Sequence, residues 1–465
     1  MTAPRLTLLS ARAFERDLRM RLPFRFGVIT LREATQVYLR VRVRDAETGL
    51  EADGHAAELM VPKWFDKSPD LSEAENVDQL RRSVHSTINL SLSAEEPATA
   101  ADHAWRLDAM QRQALADENG LVAGFGPALM ARAVLDALAR LKQVSFYQAI
   151  QRNLQGLTAW HLPADLGGFA LDDFLACLQP GSSIALRHTV GLADALSADD
   201  IGQRIDDGLP ESLSEVIDVY QPDYFKLKVS GNPDTDLARL TAIAALLERR
   251  PGYRITLDGN EQFESPERFA DLLDAIEATP ALQRLRQALL FVEQPLPRSL
   301  ALDCPVHELA RRVPLLIDES DSELDSYRRA GELGYQGVSS KNCKGLYRSL
   351  LNLARTRHWP GQGWFLSAED LTTQAGLSVQ QDLALVSLLG LGHVERNGHH
   401  YVNGMSGAME PEMDAFARAH PSLYRRDDSG LHLRINAGRI ALDSLEGTGF
   451  ASGATPAYDA LRAMT

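Results

Sequence analysis

From about residue 180 onward the chain repeats one pattern eight times: a short apolar run ends in polar residues, and a helical stretch follows. The runs are 183–190, 223–229, 253–258, 289–293, 314–318, 335–341, 363–367 and 392–396. Helical patterns such as 234–249, 266–285 and 377–390 lie between them. The second opens Ser265-Pro266-Glu267, a capping serine with proline at the first helical position. Strand–helix alternation at this spacing argues for a parallel sheet. Eight repeats in about 215 residues predict a (β/α)8 barrel. A doubly wound sheet is the alternative, but no GxGxxG follows its first strand.

The first 170 or so residues break this rhythm. Residues 5–12 and 36–45 alternate apolar and polar as strands do, and 46–54 carry turn chemistry. After Pro62 the pattern becomes helical, with Leu80, Val84 and Ile88 at helical spacing, and 127–150 predicts a strong amphipathic helix or helix pair. The region therefore predicts an α+β unit. At the other end, 431–442 predicts a hairpin turning at Asn436-Ala437-Gly438. The net charge of −15 argues against a broad nucleic-acid or anionic-membrane surface. Cys177, Cys304 and Cys343, with no CxxC, form neither a disulfide framework nor a cysteine zinc site, which fits a reducing cytosol. No signal-peptide core and no stretch of about 18 apolar residues is expected, so the expectation is a cytoplasmic protein with no membrane span.

The chemistry sits at the strand ends. In Phe225-Lys226-Leu227-Lys228-Val229 the two lysines share one strand face and the apolar residues the other. The following runs end in Asp258-Gly259-Asn260, Glu293-Gln294-Pro295, Asp318-Glu319-Ser320 and Lys341. Catalytic residues of a barrel of this kind come from the C-terminal ends of several strands. Three carboxylates there would make an all-oxygen site suited to Mg²⁺, with Mn²⁺ and Ca²⁺ as poorer fits. Repulsion from a divalent ion and from each other would lower the lysine pKa values, and a neutral amine is a competent general base.

Lys226-Leu227-Lys228, Asp258-Gly259-Asn260, Glu293-Gln294-Pro295, Asp318-Glu319-Ser320 and Lys341-Asn342-Cys343-Lys344-Gly345, in this order, resemble the enolase superfamily. Within it they are most similar to the muconate lactonizing enzyme subgroup of the mandelate racemase/muconate lactonizing enzyme family. The resemblance implies residues 1–175 as an N-terminal α+β capping domain, 176–430 as the barrel with the active site, and 431–465 as a C-terminal segment returning to the cap. It implies Asp258, Glu293 and Asp318 as Mg²⁺ ligands, and Lys228 and Lys341 as an acid/base pair on opposite faces of a small carboxylate substrate. Lys226 would tune Lys228, and Asn260 and Glu319 would support the site. Departures from the family pattern are the long interval between Asp258 and Glu293, with an insertion expected in 278–289, and the polar run before Lys341.

The implied reaction removes the proton α to a carboxylate, giving an enediolate. A racemase, an epimerase or a cycloisomerase follows from two lysines. An acid-sugar dehydratase of the same superfamily, a metal-dependent hydrolase and a non-catalytic binding barrel are the rivals. Homo-oligomerisation is compatible with the family, and no sequence feature fixes a number. Among the remaining polar residues, Glu395 stands between a site role and none. Ser367, Glu369 and Asp370 read as helix-capping residues or pocket lining. Lys344 reads as a surface residue, His399 and His400 as loop residues, and Cys343 as a passive thiol. Gly404-Met405-Ser406-Gly407-Ala408 only approximates a nucleophile elbow and lacks its strand–turn–helix context. Residues 23–27 and 59–65 read as loops with large side chains, which the resemblance makes candidates for choosing the substrate.

Overall fold

The computed structural model describes residues 3–94, 96–361 and 363–465. Its N-terminal part is an antiparallel meander of β1 (Leu6–Phe26), β2 (Ile29–Asp45) and β3 (Glu51–Met60). β1 runs well past the expected end at residue 12. Its middle reads as polar, but the charges there are paired: Glu15 with Arg81 at 2.6 Å and Arg462 at 2.7 Å, and Arg16 with Glu412 at 2.5 Å. Residues 23–26 and 59–60, expected in loops, are the far ends of β1 and β3, whereas Gly27 is a hairpin turn and 61–65 form a loop as expected.

Helices Glu73–Leu92, Ala100–Ala114 and Gly120–Leu141 cover this sheet. Contact is closest at Gly54 on β3, where a Cβ would lie 2.0 Å from the Ala133 carbonyl oxygen, so only glycine fits there. The last helix contains Pro127, which has no N–H to bond the Ala123 carbonyl. The Ser83 hydroxyl donates to that carbonyl instead, at 3.2 Å, and accepts the Gly126 N–H. By length and composition Gly120–Leu141 could cross a membrane, contrary to the sequence expectation. Here its apolarity is accounted for by complete burial within the fold.

All eight predicted runs are strands: β4 (Ser183–Val190), β5 (Tyr224–Lys228), β6 (Arg254–Asp258), β7 (Leu289–Glu293), β8 (Leu315–Ile317), β9 (Gly337–Ser340), β10 (Phe365–Ala368) and β11 (His393–Arg396). They pair in parallel in the order β10-β9-β8-β7-β6-β5-β4-β11. β10 and β11 lie side by side without ladder pairing. Arg187 of β4, wholly buried, stitches that seam by donating to Ser367 Oγ (3.0 Å) and the Ala368 carbonyl (2.9 Å) and by meeting His393 Nδ1 (2.8 Å). The helix expected over 266–285 stops at Ala278. Pro280 biases Thr279 towards an extended conformation, and a 3₁₀ turn (Pro280–Leu282) and a short helix (Gln283–Ala288) fill the interval where the insertion was expected.

The tail departs from the expected hairpin. β12 (Tyr424–Asp427) pairs with β13 (Gly430–Leu433), because the Asp427 side chain accepts the Ser429 N–H and closes the turn there. The turn at 436–438 exists, with Ala437 and Gly438 at positive φ, but it delivers β14 (Arg439–Ala441) antiparallel onto β4 of the barrel. Only then does the chain reach the N-terminal sheet, where Phe450 stacks on Phe146 at 3.9 Å and β15 (Arg462–Ala463) pairs with β1. One hydrophobic cluster runs from the cap helices into barrel helices Leu346–His358 and Leu377–Leu388, and a second fills the wall behind β5 to β9. Phe450→Ala removes a fully buried ring. It is expected to cost about 3–5 kcal/mol, read as a lowered urea midpoint with m unchanged.

Candidate active site

Strand alternation aims the charges. Lys226 and Lys228 on β5, Asp258 on β6 and Glu293 on β7 point into the barrel mouth, and Asp318 and Lys341 follow β8 and β9 directly. The register places Lys228 beside Asp258 and Asp258 beside Glu293. One pocket is lined by all six of these residues together with Asn260 and Glu395. Glu319, one residue past Asp318, is reached from the Asn260 amide at 3.4 Å, a weak contact.

Lys226 is the hub. Its Nζ lies 2.8 Å from Asp258 Oδ2, 2.7 Å from Glu293 Oε2, and 3.0 Å from both Glu369 Oε2 and Glu395 Oε2. Lys228 donates to Asp258 at 2.5 Å, and Lys341 to Asp318 at 2.6 Å. The lowering was expected beside a divalent ion; the carboxylates by themselves act the other way on Lys226 and Lys341. Burial does lower the Lys341 amine, but the adjacent Asp318 outweighs it and holds the group above its ordinary value. Lys226 is raised in the same way by its four carboxylates. Burial raises Asp258 and Asp318, but their lysines more than reverse this, so both stay ionised. Glu293 is pushed the other way, first by burial and then by repulsion from Asp258 and Glu369.

Among the described residues, no three His, Cys, Asp or Glu side chains stand together at ion-holding distance. Asp258 is turned to Lys226 and Lys228, Asp318 to Lys341 and Lys344, and Glu293 to Lys226. Donor chemistry still fits a hard divalent cation. The three carboxylates are buried and all-oxygen, they crowd one another enough to raise Glu293, and Glu293 Oε2 makes no hydrogen bond despite its nearness to Lys226.

Several residues escaped the sequence reading. Lys344 is buried, not on the surface: it donates to Ser339 Oγ (2.6 Å) and the Asp318 carbonyl (2.9 Å), and pairs with Asp318 Oδ1 (3.0 Å). Glu369 meets Lys226 and Arg187, so it belongs to the site and not to a helix cap. Asp370 likewise lines the pocket. His399 and His400, expected in a loop, lie buried in the short helix Gly398–Tyr401. Cys343 is buried, and burial raises its thiol, in keeping with a passive role. Arg187 had a visible signal, a charge inside an otherwise apolar run. Lys67 had none: its Nζ reaches the Asn260 carbonyl at 3.0 Å and ion-pairs with Glu261.

The N-terminal sheet closes the pocket with Phe24, Phe26, Val61 and Trp64. Trp64 lies over Lys341, 4.3 Å from Nζ to ring centroid, and Phe26 lies 6.0 Å from Lys228. Arg298 latches this cover to the barrel. It donates to the Trp64 and Phe65 carbonyls at 2.9 Å each while pairing with Glu261 at 2.9 Å. The space left in this partly open pocket is about 20 Å³, room for roughly one water.

No family model and no curated protein matches the sequence. Solved structures match across nearly the whole chain. A dipeptide epimerase from Enterococcus faecalis V583, complexed with Mg and the dipeptide L-Leu-L-Tyr, superposes with a TM-score of 0.60 at 11% identity, covering 96% of this chain and 99% of its own. An enolase from Bradyrhizobium complexed with magnesium and mandelic acid gives 0.60 at 16%, covering 99% and 98%. A 2-chloromuconate cycloisomerase from Rhodococcus opacus 1CP gives 0.60 at 16%, covering 98% of each. The fold is therefore the one these structures share, a capping domain on a (β/α)8-type barrel.

Arg298→Ala is expected to raise amide hydrogen exchange of residues 64–67 at least tenfold. Losing charged hydrogen bonds worth about 1.5–3 kcal/mol each would produce that change. Unchanged protection would show that the latch does not hold the cover.

Proposed function

We propose that this protein is a Mg²⁺-dependent isomerase that removes and returns the proton α to a carboxylate, in the manner of a racemase or epimerase. The observation that carries the reading is the placement of the two lysines. In the eight-strand order β5 and β9 are four strands apart, so Lys228 and Lys341 face each other across the barrel mouth. Asp258, Glu293 and Asp318 lie at the ends of the three strands between them. A carbon held between two amines can lose a proton to one and regain it from the other on the opposite face, which inverts it. The similarity to an epimerase and to a mandelic acid complex supports the same class.

Asp258, Glu293 and Asp318 would hold the Mg²⁺, which would supply a positive charge for the substrate carboxylate and for the negative charge that builds as the proton leaves. Lys226 would keep Asp258 and Glu293 in place and set the charge that Lys228 feels. Lys344 would do the same for Asp318 and Lys341. Asn260 and Glu319 would brace the loop after β6, and Glu395 would anchor Lys226 from the far wall. Trp64 and Phe26 would exclude water from both amines. The cover would shift to admit a substrate, since the space left beneath it holds about one water. Phe24, Phe26, Val61, Trp64 and Leu371 give an otherwise polar and charged pocket one apolar side. That side suits a substrate with an apolar group on the reacting carbon, which supports an isomerase over a dehydratase acting on a polyhydroxylated acid sugar. Cycloisomerisation remains the second reading, favoured by the similarity to the cycloisomerase.

The test is incubation with Mg²⁺ in D₂O against a library of chiral carboxylic acids. Mass spectrometry would read a one-unit gain, and chiral chromatography would read inversion. Inversion of an acid bearing an apolar α-substituent is expected. Lys228→Ala and Lys341→Ala should each reduce inversion by about 10²–10⁴-fold with Mg²⁺ binding kept. Asp258→Asn should weaken Mg²⁺ binding itself. Full inversion by either lysine variant would refute the two-base assignment, and silence across the library would favour a non-catalytic barrel.

A further inference from the structure

A second cavity, of about 140 Å³, lies outside the barrel wall formed by β4 and β11. Its polar lining is Arg396, Arg425, Arg434, His399, His432, Tyr220 and Thr373, and no carboxylate lines it. In a chain of net charge −15 that is a local positive pocket, with Arg425 and Arg434 exposed at its rim. Two of the arginines have counter-ions outside the cavity: Arg396 pairs with Asp382 and Asp370, and Arg425 with Asp427 at 2.9 Å. Among the described residues Arg434 has no carboxylate partner. Its Nε and Nη2 share the Tyr424 carbonyl, and the rest of the guanidinium is exposed at the cavity rim. His399 adds an independent sign. It is more than nine-tenths buried, its Nε2 meets His188 Nδ1 at 3.1 Å, and its Nδ1 has no hydrogen-bond partner. The His399 ring lines the cavity, and its unpartnered Nδ1 is buried beside it.

Val219, Val379 and Ile435 make the rest of the wall apolar. The volume is near the about 150 Å³ of an engineered cavity that binds benzene. We propose that this cavity binds a small organic carboxylate, its charge on Arg434 and His399 and its compact apolar body against the valines. The cavity shares a wall with the active site. Asp370, Leu371, Thr372, Glu395 and Asn397 line the active site, while Thr373, Arg396, Gly398 and His399, interleaved with them along the same segments, line this one. The occupant would therefore stiffen segments 370–373 and 395–399 and, through Glu395, the surroundings of Lys226.

The test uses full-length protein stripped of divalent ions, titrated with benzoate and with benzamide, its uncharged analogue, by calorimetry and thermal shift. Benzoate is expected to bind and to raise Tm, with benzamide at least tenfold weaker and amide exchange slowed across 370–373 and 395–399. Two variants localise the binding: Arg434→Gln removes the free charge, and Val219→Trp, at an exposed lining position, fills the space. Each should weaken benzoate at least tenfold while leaving the ligand-free Tm within a few degrees. Failure of benzoate to bind wild type, or binding equally tight in both variants, would overturn the proposal. Neither result bears on the two-lysine reading, because neither variant touches the active site.

Discussion

The ammonium of Lys226, buried inside a ring formed by Asp258, Glu293, Glu369 and Glu395, is the constraint on which the barrel mouth depends. Each buried ion loses several kcal/mol of hydration, so none of the five is tolerable alone. The four carboxylates come from four strands, and the one cation reaching all of them ties β6, β7, β10 and β11 to β5. That tie matters most where the ladder is missing. Between β10 and β11 the barrel is closed by side chains: Arg187 on one level and Lys226, through Glu369 and Glu395, on the level above. Glu395 also accepts the Asp370 N–H at 3.0 Å, which fixes the backbone that leaves β10.

The strand ends were legible because period two is a strong signal when charges interrupt apolar runs. Lys226 with Lys228, Asp258, Glu293, Asp318 and Lys341 all reach one pocket from positions read off that pattern alone. Lys344 was misread because the loop after β9 is a tight 3₁₀ turn (Asn342–Lys344), which folds a loop residue back under Asp318. Spacing along a chain does not reveal such a return. Nor did it reveal the ion pairs of Lys226 and Lys341, since those depend on which carboxylate each amine meets. The tail failed for a similar reason. Two turn signals lie at 427–430 and 436–438, and the choice between a local partner and β4 is settled by packing onto an otherwise unpaired part of the barrel.

The cap is not an independent lid. The hydrophobic cluster that organises its helices continues into barrel helices Leu346–His358 and Leu377–Leu388. Arg132, wholly buried in Gly120–Leu141, joins Glu58 of β3 at 3.0 Å to Gln381 of the barrel at 3.4 Å. Beyond this shared core lie the far end of the β1–β2 hairpin and the segment after β3. Both carry aromatic rings set against the two lysines, and the second is held down through backbone carbonyls by Arg298. The latch grips backbone, while the buried rings of Trp64 and Phe65 are held separately by packing, Phe65 against Phe125.

The same alternation that builds the active site also builds the wall behind it. On β11 Glu395 turns inward to Lys226, and the next residue, Arg396, turns outward to Asp382 and the second cavity. Thr372 lines the inner pocket and Thr373 the outer one. Gly398 sits where a Cβ would lie 1.9 Å from the Thr373 carbonyl oxygen, so the two segments are in direct backbone contact. After the eighth strand come the short helix Gly398–Tyr401 and the longer Glu410–Ala419, and residues of the β12–β13 hairpin line the outer cavity. Alternation along β11 places that cavity one residue's width from the charges that hold Lys226.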